Sequence, residues 1–190
     1  MTDDNRDYSN DYRQFTFEQI AATFEYDPET GKLWRKLPDG TLCQLRVARE
    51  THDKFQTTGI HFRGHHIQAS HLMWMLTEHR WPKPNHVIDH RNGDVFDCRR
   101  RNLREANHSQ SSANRESVGW GRYASDEDLE RGVYHHRGQG RYHVLIRVNG
   151  EAIDFGYYDT KEEAAEVARK ARAELHGEFS VEASRKPKEQ

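Results

Sequence analysis

Between Val87 and Arg115 the chain has room for little besides a strand, a loop, a second strand and a short helix, in that order. Upstream, Trp81-Pro82-Lys83-Pro84 must end any helix, because proline donates no backbone hydrogen bond and restricts the residue before it. Val87 and Ile88 then lead in as a strand, Asn92-Gly93 carries a hairpin-type turn signal, and Asn102-Leu103-Arg104 reads as the returning strand. Asn107 is followed three residues later by Gln110, a near capping box that starts a helix at about His108. Everything else in the chain can be placed around this unit.

Ahead of it, Phe17, Ile20, Ala21 and Phe24 fall at helical spacing, with Thr16 as cap. Asp27-Pro28 and Gly31 precede the apolar-alternating run Lys32-Leu33-Trp34-Arg35, which predicts a hairpin. Residues 55–68 alternate loosely around Gly59 and Gly64, as two further strands would. Ala69 to His79 is helical by pattern, with Leu72, Met73 and Leu76 as one stripe. Beyond it, residues 116–130 mix Gly, Ser and charge without periodicity and read as a linker. Three strand-like runs follow, at 133–136, 141–148 and 152–158, with Asn149-Gly150 as the strongest hairpin signal in the chain. Thr160 to Glu163 is a capping box for a helix to about His176, with Ala164, Val167, Ala168, Ala171 and Leu175 inward, and Gly177 ends it. The expected fold class is α+β, in two domains: residues 15–115, and a three-stranded antiparallel sheet on one helix over 131–181. An acidic head (1–14), expected to be disordered, and a charged tail (182–190) flank them.

Composition narrows the function classes. Hydrophobic content of 34% and a mean hydropathy of −1.12 suit small modules with exposed connections. The formal charge of −2 conceals an asymmetry: residues 1–30 carry eight acids against Arg6 and Arg13, so the remaining body is net basic. It also holds all thirteen histidines, which fits a nucleic-acid partner. Two cysteines, Cys43 and Cys98, with no CxxC pair exclude a disulfide framework and cysteine-based zinc sites. His61 and His65 have the spacing of a weak zinc match, but with His66 and His71 they read as core or surface histidines, and no zinc site is expected. No apolar run approaches membrane length and no signal-peptide pattern opens the chain, so a soluble cytoplasmic protein is expected, without a membrane partner. No feature points to a protein partner, and a monomer is expected.

The chemistry concentrates between Ile88 and Arg115. Hydrolysis of a phosphodiester needs an activated water, charge relief on the phosphate and stabilisation of the departing oxyanion. One Mg²⁺-like ion meets the last two needs when held by a carboxylate and a neutral oxygen. Asp89 is the candidate carboxylate. His90 is the candidate base, since an ordinary imidazole pKa of about 6.5 leaves it partly neutral at working pH. Arg99, Arg100, Arg101 and Arg104 suit flanking phosphates, and such a run equally suits a solvated loop.

In order and spacing these residues resemble the phage-type HNH endonucleases of the ββα-metal group, in particular the homing-nuclease-like branch. YDPETGKLWRK is similar to that family's N-terminal hairpin, and SHLMWMLTEHRWP to its helix, with His71 and Trp74 in place. IDHRNGD matches the first strand and turn, and DCRRRNLREA and SQSSANR resemble the motifs that follow. The resemblance implies that Asp89 ligates the metal and His90 activates water. It makes Asn102 the motif's middle asparagine, tying the loop by backbone hydrogen bonds. It puts the last metal ligand, an Asn or His, at Ser111. Serine is a shorter and poorer donor; Asn114 and His108 lie three residues to either side as substitutes. Cys98 also replaces a usual asparagine.

Beyond the linker, Tyr142, Val144, Ile146 and Val148 are expected to face the helix, leaving Arg141, His143, Leu145 and Arg147 outward. An outward basic sheet face suits a major groove, or is simply solvated. The segment from Arg131 to Ser180 is similar to an APETALA/ethylene-response-factor DNA-binding domain. The likeness rests on Gly132-Val133-Tyr134, Gly156 to Thr160, the Glu-Ala-Ala helix and His176 to Phe179. It implies double-stranded DNA contacts from outward residues, here Arg131, His136, Arg141, His143 and Arg147. Tyr134, Leu145 and Asp154 depart from the plant factors' pattern, so their target sequence does not carry over. The whole implies a metal-dependent DNA endonuclease or nickase using Mg²⁺ (Mn²⁺ as the alternative). Two other readings stay open: a DNA-binding protein whose centre is weakened at Ser111, and an RNA-directed or purely structural binder.

Overall fold

In the computed structural model the described residues are 11–45, 59–114, 129–136 and 138–184. Most of the acidic head, the linker and the charged end of the tail lie outside them. The chain divides into two compact units: residues up to 90 with 94–105, and 91–93 with everything from Ala106 onward.

In the first unit, α1 (Phe17–Ala21) is capped as its sequence requires. The Thr16 side chain accepts from the Gln19 amide, and the Gln19 side chain accepts from the Thr16 amide. The strands β1 (Phe24–Asp27), β2 (Lys32–Lys36) and β3 (Leu42–Leu45) form an antiparallel sheet in that order, with Gly31 at φ 73° in the first turn. The third strand has no counterpart in the sequence reading, because its exposed Leu42, Cys43 and Gln44 show no inward face. A second hairpin, β4 (Gly59–Phe62) with β5 (His65–Gln68), feeds directly into α2 (Ala69–Glu78). His79, left-handed at φ 56°, stops that helix two residues before Trp81-Pro82.

The core joins Ile20, Phe24 and Leu33 to Phe62 and Ile67, then to Leu72, Met73 and Met75 on α2, and finally to Ile88 and Leu103. The last two sit on β6 (His86–His90) and β7 (Leu103–Asn107), which pair as a two-stranded sheet. The strands carrying the candidate chemistry are therefore anchored to the helix through apolar side chains. Asn92-Gly93 turns the chain but does not close a tight hairpin. Only Gly93 of the pair has positive φ (72°), and a loop running to a 3-10 turn at Arg100–Asn102 separates the strands.

The end of the head is ordered rather than loose. Tyr12–Gln14 form a 3-10 turn capped by Asp11. There Tyr12 stands edge-on to Trp81, and its hydroxyl lies 2.5 Å from Nδ1 of His71.

In the second unit, β8 (Val133–His136), β9 (Arg141–Val148) and β10 (Glu151–Tyr158) form an antiparallel sheet ordered β10-β9-β8. Asn149 and Gly150 both take positive φ (51° and 90°), as a two-residue Asn-Gly hairpin demands. Val133, Val144 and Ile146 pack on Ala164, Ala168 and Ala171 of α4 (Lys161–His176), whose cap is Thr160 accepting from the Glu163 amide. The short helix α3 (His108–Ala113) begins with the complete Asn107–Gln110 capping box and belongs to this unit. A turn of helix, α5 (Val181–Ser184), occupies the start of the expected tail. Its Glu182 bonds the buried Arg172 of α4.

His71 gives the first unit a pH dependence. Burial holds its pKa down at about 4, so the folded state keeps it neutral, whereas the unfolded chain protonates it near 6.5. Stability is therefore full above about pH 6.5 and falls as pH drops toward 4, by roughly 3 kcal/mol from this group. Urea titrations between pH 4 and 7.5 are expected to show the loss, and His71→Phe to flatten it. Parallel curves for the two proteins would refute the assignment.

Candidate active site

The inner end of β6 is buried at three successive residues, Ile88, Asp89 and His90. Two adjacent polar side chains buried at a strand end require partners, and the neighbouring elements provide them. Arg104, on β7, donates from Nε and from a terminal nitrogen to Oδ2 of Asp89 at 2.9 and 2.8 Å. The two side chains are 5% and 7% exposed, so the pair is an internal one. Arg104 is thus not the surface phosphate contact expected of it. Both Leu103 and Arg104 are buried, one into the apolar core and the other against the carboxylate.

His90 meets the Cys98 thiol, with Nε2 3.8 Å from Sγ. Burial lowers the imidazole pKa against the opposing pull of Asp89, Asp94 and Asp97, favouring the neutral ring. Cys98 is 2% exposed, and burial, aided by Asp97 and Asp94, pushes its thiol up to about 12. It therefore stays protonated and serves as a hydrogen-bonding group rather than a nucleophile. Asn102 is buried and donates from Nδ2 to the Asp97 carbonyl at 2.7 Å, so it braces the loop internally.

The other arginines of the run divide by the acids within reach. Arg99 is held by the Asp97 carboxylate, with Nε 2.6 Å from Oδ1. Arg100 donates to Glu78 at 2.9 and 2.6 Å and to the Leu103 carbonyl, with its guanidinium 4.7 Å from the Trp74 ring centroid. Both remain about one-third exposed (33% and 35%). Arg101 is the exposed member.

The remaining candidates lie in the second unit. Ser111 is half-buried on α3 and Asn114 is buried at its C-cap. Arg131 donates to the Ser112 and Ala113 carbonyls at 2.5 and 3.1 Å, so it caps that helix instead of projecting from the sheet. On the outer sheet face Tyr134, His143 and Tyr157 are cross-strand neighbours. His143 stacks flat on Tyr157 at 4.3 Å and contacts Asp154 at 2.9 Å. Arg141 is paired with Asp159 at 2.7 Å, while His136 and Arg147 are exposed.

Residues 68–113 match the family model described as HNH endonuclease. The matched segment runs from Gln68, the cap of α2, through β6 and β7 to Ala113, the last residue of α3. Neither a curated protein nor a solved structure matches the chain. The segment is therefore an HNH endonuclease domain, a class of nuclease that acts on DNA and generally uses a divalent metal. In the first unit the buried Asp89 carboxylate is a hard oxygen donor of the type such an ion takes. Among the described residues no group of three or more His, Cys, Asp or Glu side chains is placed to hold a metal ion.

Sequence reasoning missed Arg104 as the partner of Asp89 and Cys98 as the partner of His90. The only signal for the first was an arginine at the start of the strand expected to pair with β6. Removing Arg104 while keeping Asp89 breaks a buried ion pair by taking away one member, which costs about 3–5 kcal/mol. Chemical denaturation is expected to show that loss for Arg104→Gln, a partial recovery in Asp89→Asn with Arg104→Gln, and almost none for Arg101→Ala. An Arg104→Gln protein as stable as its parent would contradict the buried pair.

Proposed function

We propose that the protein is a metal-dependent DNA endonuclease or nicking enzyme, homing-endonuclease-like, whose second unit holds double-stranded DNA on the outer face of β8–β10. The observation that carries this reading is the buried Asp89–His90 pair at the end of β6, inside the segment matched to HNH endonucleases. His90 takes the proton of the attacking water, a task suited to an imidazole kept neutral by its surroundings. Arg104 orients the Asp89 carboxylate, and Asn102 holds the loop between the strands. Arg101, with the outer edges of Arg99 and Arg100, meets flanking phosphates without reading bases. A divalent ion, Mg²⁺ or alternatively Mn²⁺, would be held by Asp89 with Ser111 or Asn114, and supplies charge relief on the phosphate and the departing oxyanion.

The second unit is read as an APETALA/ethylene-response-factor-like module. The exposed basic groups on the outer face of its sheet, His136 and Arg147, are the primary DNA contacts. Arg141 and His143 join them only by leaving Asp159 and Asp154.

A second reading, a DNA-binding protein with a weakened centre, is favoured by one observation: serine stands at position 111, where the family resemblance calls for Asn or His.

Supercoiled plasmid incubated with Mg²⁺ or Mn²⁺ separates the two. Nicking is expected, with a loss of about 10²–10⁴-fold in His90→Ala and equal or higher activity in Ser111→Asn. Full activity in His90→Ala would sink the assignment of the base. Binding without cleavage by the parent, together with cleavage by Ser111→Asn, would establish the second reading. For the sheet, Arg147→Ala is expected to weaken duplex binding and to lower the slope of log affinity against log salt by about one. An unchanged slope would remove Arg147 from the interface.

A further inference from the structure

We propose that the β1–β2 hairpin, which lies outside the family-matched segment, positions His90. Tyr26 and Gly31 fix the Cys98 segment, and the Cys98 thiol fixes the imidazole. The inference rests on His90 being the base of the proposed function.

Three contacts tie the hairpin to the loop between β6 and β7. The Tyr26 hydroxyl donates to the Cys98 carbonyl at 2.6 Å, and burial raises its pKa so that it remains a donor. The Arg100 amide donates to the Pro28 carbonyl at 2.9 Å. Gly31, at φ 73°, lies so close to the loop that a Cβ there would meet the Arg99 nitrogen at 2.9 Å and the Cys98 carbonyl carbon at 3.1 Å. Backbone lies against backbone, so neither side can yield by turning a side chain. The turn Asp27-Pro28-Glu29-Thr30-Gly31 is itself rigid. Asp27 accepts from the Glu29 amide and the Thr30 hydroxyl, and the Gly31 amide returns to the Asp27 carbonyl.

From the clamped segment the Cys98 side chain reaches two groups, the Val95 carbonyl and His90 Nε2, each at 3.8 Å. A protonated thiol has one hydrogen. Both contacts are satisfied together only if that hydrogen goes to the carbonyl and sulfur accepts from Nε2–H. The ring then carries its proton on Nε2 and its lone pair on Nδ1. Cys98, Tyr26 and Gly31 are thus positioning residues: the first sets the tautomer and aim of the ring, and the other two set the first.

The test uses the full chain and two readouts, plasmid nicking kinetics and long-range ¹H–¹⁵N spectra of the His90 ring, assigned with His90→Gln. Tyr26→Phe removes only the hydroxyl. It is expected to shift the His90 ring signals and lower kcat about 10-fold, with KM and duplex affinity unchanged, since a misplaced catalytic group costs turnover rather than binding. Cys98→Ala is expected to mix the two tautomers, and Cys98→Ser to restore the parent ring signals in part. Gly31→Ala is expected to act as Tyr26→Phe does, and if it does not fold the other variants decide. Unchanged ring signals and unchanged kcat in both Tyr26→Phe and Cys98→Ala, with only melting temperature lowered, would overturn the proposal. A parent protein that leaves plasmid intact would overturn the nuclease reading instead, and the ring signals would still decide the clamp.

Discussion

The buried contact between Arg104 and Asp89 joins two strands that have few other means of holding a fixed register. β6 and β7 form a sheet of only two strands, which is marginal by itself in water. Apolar anchoring through Ile88 and Leu103 sets which face turns inward, but a hydrophobic contact is tolerant of small slides. A guanidinium giving two hydrogen bonds to one carboxylate oxygen is not. Desolvating both charges costs several kcal/mol per ion, and the attraction between them offsets this only in good geometry. The pair therefore contributes little net stability while making misaligned arrangements of the strands costly. Its effect is to hold the Asp89 carboxylate at one place in an otherwise thin structure.

Much of this architecture was legible in the sequence because its punctuation is strong. The prolines after Trp81, the Asn107–Gln110 cap and Asn149-Gly150 each impose a backbone geometry that tertiary context does not override. The sheet-on-helix plan of the second unit followed from period-two alternation on β9 and the small-residue stripe of α4. Less visible were features that depend on which of several like charges turns inward. Four arginines in six residues look alike in sequence, and the positions of Asp89, Glu78 and Asp97 decide their separate fates. Arg131 was misread as a sheet contact for the same reason, since nothing local in the chain shows the ends of α3 within its reach. Asn92-Gly93 was misread in another way. Without a positive φ at Asn92 the dipeptide bends the chain but does not set a two-residue hairpin.

The outer face of the second unit illustrates how charge is spent internally. A sequence count shows a basic surface, yet Arg141 and His143 sit against Asp159 and Asp154. The Asp154 carboxylate also accepts from the Gly156 amide, at the point where the register with β9 shifts. This carboxylate therefore helps shape the strand as well as pairing with histidine. The face is a mixture of aromatic stacking, internal pairing and two exposed basic groups, a surface of modest electrostatic reach.

Gly31 bears on how the molecule comes together. The hairpin and the loop it touches are separated by more than sixty residues of chain, and that interval contains the β4–β5 hairpin and all of α2. The loop can reach its final shape only after this long interval has closed, so the site is a late product of folding rather than a local motif. During synthesis the hairpin leaves the ribosome well before Cys98 does. A fragment limited to the family-matched stretch would keep the chemical groups and lose the surface against which they are set.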